Sequence, residues 1–151
     1  MAVAQRFYDA FAVGDWGTMA RLYAPQATFS DPVFPHLTAD QTRAMWGMLL
    51  SRAVDMECSS SVEETNDRAR VIWVARYTFS GTGRPVVNRV YTEMELGAGM
   101  ILRQVDRFSF WRWSRQALGP IGWTLGWSPF LRAGVRRQAA ENLAKYMQRR
   151  P

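Results

Sequence analysis

Asp31 is the residue whose surroundings best suit chemistry. It sits in the run Ala27-Thr28-Phe29-Ser30-Asp31-Pro32-Val33-Phe34. Thr28 and Phe29 favour a strand, and Pro32 has no N–H with which to continue one, so the strand is expected to end near Asp31. A carboxylate at the inner end of an apolar strand is costly to keep charged, which suits a general base tuned by burial. The residue also reads as a turn aspartate at an Asp-Pro step, bonding its own backbone. His36, the single histidine, reads either as a proton shuttle at a pocket rim or as a loop residue ahead of a helix cap. With one histidine and one cysteine, Cys58, a zinc site is not expected.

The elements that must position these groups follow from periodicity. Val3, Phe7, Ala10 and Phe11 form one helical stripe, which Gly14 ends. Asp15 is placed to cap a second helix carrying Trp16, Met19, Leu22 and Tyr23. Thr38 with Gln41 makes a capping box for a third, carrying Met45, Trp46, Leu49, Leu50 and Ala53. The chain then changes to period two. A strand is expected over about 56–64. Val71, Trp73, Ala75, Tyr77 and Phe79 alternate along the next, and Ser80-Gly81-Thr82-Gly83 is a hairpin turn. Further strands are expected over about 85–96 and 100–111, joined at Gly97-Ala98-Gly99. Helices first and hairpin-linked strands afterwards argue for an α+β fold.

Composition sets the outer bounds. The chain has 151 residues and is 48% hydrophobic, within the range of a single domain with a real core. Lys+Arg 19 against Asp+Glu 13 gives a net charge of +6, which permits an acidic partner without requiring one. One cysteine allows no internal disulfide and fits a reducing compartment. No uninterrupted apolar run is long enough to cross a membrane, and the first residues read as helix and not as a signal peptide, so the cytoplasm is expected.

The runs Phe7-Tyr8-Asp9-Ala10-Phe11-Ala12-Val13-Gly14-Asp15, Met19-Ala20-Arg21-Leu22-Tyr23-Ala24 and Ala27-Thr28-Phe29-Ser30-Asp31-Pro32, in that order of elements, resemble the nuclear transport factor 2-like superfamily. That group includes ketosteroid isomerases, SnoaL-type polyketide cyclases and limonene epoxide hydrolases, and the resemblance spans about residues 3–111. It implies a cone: a curved antiparallel sheet wrapped by N-terminal helices around an apolar pocket. It divides the chain into a cone domain, 1–113, and a C-terminal helical extension, 114–151, packed on the same domain. Asp31 falls where the isomerases place their general base. Asp106, in Gln104-Val105-Asp106-Arg107-Phe108, falls where the cyclases and epoxide hydrolases place an aspartate. Period two from Asp106 puts Phe108 and Phe110 on its face, so two carboxylates would face one pocket, a layout suited to acid/base work.

The chain also departs from those enzymes. The isomerase oxyanion positions correspond to Phe7 and Thr92, and Tyr8 is expected to point about 100° away around the helix. A missing oxyanion donor costs about 3–4 kcal/mol of transition-state stabilisation. Where the epoxide hydrolases carry an Arg and an Asp, this chain has Trp73 and Ala75. Phe7, Trp46, Trp73, Tyr77, Asn88, Thr92 and Phe108 are the candidate ligand-binding residues. Trp46, Trp73 and Tyr77 read first as core packing, and Asn88 reads equally as a strand residue bonded to a neighbour. Glu93, Glu95 and Arg103 read as solvated sheet residues.

The tail holds Trp111, Trp113, Trp123 and Trp127 among arginines and glycines. It is expected to form two helical segments over 114–151, broken near Gly119-Pro120 and Gly126-Trp127-Ser128. The last should turn Leu131, Val135, Leu143 and Tyr146 inward and its arginines to water. The tail would pack across the cone mouth or on a neighbouring subunit, with a membrane surface as the alternative. No nucleic-acid motif is present. Taken together, the residues and the resemblance imply cofactor-free acid/base chemistry on a small hydrophobic carbonyl or terpenoid-like compound by a homodimer. The alternative is a non-catalytic binding module of the same fold.

Overall fold

The computed structural model describes residues 2–126 and 128–149. Helix α1 (Val3–Ala12) buries Val3, Ala4, Phe7, Tyr8, Ala10 and Phe11, the stripe that three- and four-residue spacing requires. The carboxylate of Glu64 accepts its first free N–H groups, from Ala4 at 3.0 Å and Gln5 at 3.2 Å. Gly14, at φ 73°, turns the chain out of α1. Asp15 caps α2 (Trp16–Arg21) through the Thr18 N–H. That helix ends at Arg21, because Tyr23 and Ala24 already belong to strand β1 (Tyr23–Ser30). β1 stops one residue before Asp31, as Pro32 requires. After β2 (Leu37–Thr38), the Thr38–Gln41 capping box starts α3 (Ala39–Arg52).

Strands β3 (Glu57–Glu64), β4 (Arg68–Phe79), β5 (Arg84–Gly97) and β6 (Met100–Arg107) complete a curved, unclosed six-stranded sheet of order β2-β1-β6-β5-β4-β3. All pairs are antiparallel except β1 with β6. This parallel pairing places the C-terminal end of β1, and hence Asp31, beside the C-terminal end of β6: Ser30 pairs with Val105. Alternation is clean along β4 and β5, whose buried side chains include Val71, Trp73 and Ala75, then Val86, Val90, Thr92 and Met94. A register shift between Glu95 and Leu96 lets both Ile101 and Gln104 of β6 face inward.

The last strand ends at Arg107, not near Trp111. Ser109 accepts the Arg112 N–H and caps α4 (Phe110–Leu118), so the helical extension begins before residue 114. It continues as α5 (Pro120–Leu125) and α6 (Pro129–Arg149), with Gly119 at φ 67° between α4 and α5. Trp127, at the second expected break, lies outside the described residues. The extension packs on the cone. Phe110, Trp113 and Ala117 close over Val86 and the partly buried Val33, Tyr77, Phe79 and Phe108. Leu143 is buried, and Ala139, Tyr146 and Met147 rest on the main core. No helix among the described residues is long and apolar enough to cross a membrane.

Candidate functional site

Asp106 occupies a central strand and is 4% exposed. Two chains of hydrogen bonds converge on its Oδ1. In one, Trp46 Nε1 donates to Tyr23 Oη at 2.9 Å, Tyr23 Oη to Gln104 Oε1, and Gln104 Nε2 to Asp106 at 3.0 Å. In the other, Trp73 Nε1 donates to Thr92 Oγ1 at 2.8 Å, and Thr92 to Asp106 at 2.7 Å. Each donor along these chains is consumed by the next acceptor, so Oδ1 is fixed, while Oδ2 takes no hydrogen bond from the described residues. Burial pushes the carboxyl up to about 7; the Gln104 and Thr92 donors pull it down, and the charge of Asp31 pushes it up again.

Asp31 lies half-buried just beyond β1. Its Oδ1 accepts the Val33 N–H at 2.7 Å and the Phe34 N–H at 2.6 Å, so it is a turn aspartate as its Asp-Pro step suggested. It is also a perturbed acid. Burial pushes it up to about 6, against the pull of those two N–H groups and of Arg136. Among the described residues, neither aspartate forms a salt bridge. Arg136 instead donates Nε to the Pro32 carbonyl at 2.9 Å, tying α6 to the Asp31 turn.

Tyr8 does not point away from this centre. It is 1% exposed, and its hydroxyl is the one sealed side-chain polar atom without a hydrogen-bond partner among the described residues. Burial, then the charge of Asp106, raise its proton affinity well above the usual phenol value. The expectation drawn from helix geometry failed because α1 is buried across a broad face. Phe7 takes one side of it, edge-on to Tyr23 and Trp46, while Tyr8 lies against Phe11 and Trp73.

The remaining candidates separate by role. Phe7, Trp46 and Trp73 are sealed core residues, and the two indole N–H groups feed the Asp106 network. Thr92 spends its hydroxyl proton on Asp106. Tyr77 accepts the Trp113 Nε1–H at 2.9 Å, and Asp31 raises its proton affinity after burial does. Asn88 is half-buried on the concave face, opposite Ala75. Phe108 packs at the meeting of both cores. His36 is exposed and lines a 240 Å³ cleft with Val33, Leu143 and Arg136. Glu93 and Glu95 pair with Arg107 and Arg103 on the exposed face. No cluster of three His, Cys, Asp or Glu side chains that could hold a metal occurs among the described residues. Sequence reasoning missed Tyr8, Tyr23, Gln104 and Arg136. Only Gln104, two residues from Asp106 on one strand face, left a local signal.

Residues 4–104 match the SnoaL-like domain family. No curated protein matches the chain significantly. Solved structures share the fold. A Catenulispora acidiphila protein of ketosteroid isomerase-like fold, in complex with trimethylamine, superposes with a TM-score of 0.68 at 14% identity, over 80% of this chain and 95% of that one. Polyketide cyclase candidates from Silicibacter sp. and Xanthomonas campestris give TM-scores of 0.66 and 0.62 at 16% and 20% identity, each over 76% of this chain and 92% and 93% of theirs. A curved sheet wrapped by three N-terminal helices, and a family match covering most of that cone, place this chain in the SnoaL-like domain family of the nuclear transport factor 2-like superfamily.

Proposed function

We propose that the protein is a cofactor-free acid/base enzyme acting on a hydrophobic carbonyl compound, by isomerisation, cyclisation or hydration. One observation carries this reading: two carboxyls held at about 6 and about 7, close enough that one charge shifts the other, with no salt bridge to either among the described residues. Proton affinities near neutrality let one carboxyl accept a proton while the other holds one. Asp31, the more acidic, is the base. Its Oδ2 takes no hydrogen bond from the described residues, which leaves it to a C–H next to the substrate carbonyl. Asp106 in its protonated form presents a proton on Oδ2, because Oδ1 already accepts two donors. That proton and the Tyr8 hydroxyl supply the two oxyanion donors that Phe7 and Thr92 do not.

The first experiment follows hydrogen–deuterium exchange, by NMR, at carbons next to the carbonyl in a panel of cyclic ketones and β-dicarbonyls. The full-length protein is expected to accelerate exchange on some of them. Asp31→Asn and Asp106→Asn should each remove most of it, about 100-fold or more. Exchange that survives both substitutions sinks the assignment. The Asp31 turn favours a second reading, a binding module in which that carboxyl is structural. A ligand bound equally well by both variants, with no exchange by the wild type, supports it.

A further inference from the structure

The corner between α4 and α5 turns the usual polarity of a helix inside out. Gly122 on α5 and Gly126, which caps its C-terminal end one turn later, face α4. A Cβ at Gly122 would lie 1.9 Å from the Ser114 carbonyl oxygen, and one at Gly126 would lie 2.4 Å from Ser114 Oγ. Glycine is required there by close approach. The large side chains consequently point outward: Ile121 is 55% exposed, Trp123 59%, Leu125 49%, and Phe130, at the start of α6, 90%. A freely solvated helix would place these residues inward.

The charge around this corner has one sign. Residues 107–140 contain Arg107, Arg112, Arg115, Arg132, Arg136 and Arg137 and no aspartate or glutamate. Arg107 pairs with Glu93, and Arg136 is engaged at Pro32. Arg84, the first residue of β5, donates to the Gln116 carbonyl and lies against Gly119. Among the described residues, none of Arg84, Arg112, Arg115 and Arg132 is paired with an acid. The Arg115 guanidinium lies over both Trp111 and Trp123, 4.2 and 4.5 Å from their ring centroids. There it adds charge to the aromatic surface without an acidic partner.

We infer that this corner is a docking surface for an anionic lipid bilayer. Ile121, Leu125 and Phe130 would enter the acyl boundary, Trp123 would sit at headgroup level, and the arginines would meet lipid phosphates. A second copy of the chain is the poorer occupant. A two-fold contact would set the arginine-rimmed patch against itself and concentrate like charge. The same α4 closes the cone mouth with Trp113 on its other face, so docking would place that mouth at the lipid surface.

The test uses the full chain with vesicles of phosphatidylcholine, alone or mixed with phosphatidylglycerol. It reads cosedimentation and quenching of tryptophan fluorescence by brominated acyl chains. Binding and quenching are expected on the mixed vesicles only, weakening as salt is raised. An Ile121→Ser, Leu125→Ser, Phe130→Ser triple variant and an Arg112→Gln, Arg115→Gln double variant should each bind about tenfold or more weaker, with unchanged melting temperatures. The proposal is overturned by equal binding to both vesicle types or by apolar and charge variants that bind like the wild type. It is overturned equally by a wild-type dimer in light scattering that the triple variant dissolves, since a second copy would then occupy the patch.

Discussion

Asp106 shows how burial and hydrogen bonding compete at a single residue. Its ordinary value of 3.8 rises to about 7 because desolvation outweighs two donors. The folded protein therefore binds this proton more tightly than the unfolded chain does. Between about pH 4 and pH 7 the unfolded chain gives it up first, so stability falls as pH rises through that window and levels off above it. The effect is on the order of 4 kcal/mol at most. Asp31 acts in the same direction up to about 6. Asp106→Asn should flatten the decline, read as melting temperature against pH beside the wild type. A variant whose profile parallels the wild type would show that Asp106 does not titrate in this range. Tyr8→Phe separates function from structure. Removing a sealed, unpartnered hydroxyl should leave stability unchanged or raise it by about 1 kcal/mol, while turnover falls about 100-fold. Loss of stability together with full activity would remove Tyr8 from the oxyanion role.

At the scale of elements, each piece that carries the site is fixed by a nameable device. Pro32 ends β1, a Thr38–Gln41 box starts α3, and a bulge at Glu95–Leu96 sets which residues of β6 face inward. The joint between α4 and α5 depends on a glycine. Gly122→Ala drives a methyl into the Ser114 carbonyl and should cost about 1–3 kcal/mol or displace α5. Gly134→Ala, in mid-α6 with nothing within 4 Å of its Cβ position, should instead gain up to about 1 kcal/mol. Chemical denaturation of the pair tests the contrast. Equal midpoints would mean that the corner gives way without cost.

At the scale of the whole molecule, the described residues cover one face of the sheet and leave large side chains of the other exposed. Ile72, Val87 and Tyr91 stand exposed on the other, and Ile72 and Tyr91 line a groove there with Glu63, Arg70 and Glu93. We propose that two copies pair through this face. An apolar strip flanked by both signs of charge is self-complementary under a two-fold axis, unlike the all-arginine corner. Light scattering at micromolar concentration should give a dimer mass, and Ile72→Arg with Tyr91→Arg should give a monomer. A monomeric wild type would exclude this interface.

The amino-acid sequence by itself determined the order of the longer elements from α1 to β6, though not the short β2, together with the ends of α1 and β1, the capping box and the alternation along β4 and β5. Each of these depends on neighbours within a few residues. It also marked Asp31 and Asp106 as carboxylates beside apolar runs. The strand expected to reach Trp111 was misjudged because an alternating aromatic run fits a strand and a capped helix alike, and Ser109 decided for the helix. Only the tertiary structure decided the rest. The parallel pairing of β1 with β6 brought together two aspartates 75 residues apart. The packing of α1 turned Tyr8 toward Asp106, and the sheet joined Trp46 and Trp73 through Tyr23, Gln104 and Thr92 to one carboxylate oxygen. Contacts between residues distant in the chain leave no periodic trace, and the shift of each proton affinity comes from burial that exists only once those elements close on one another.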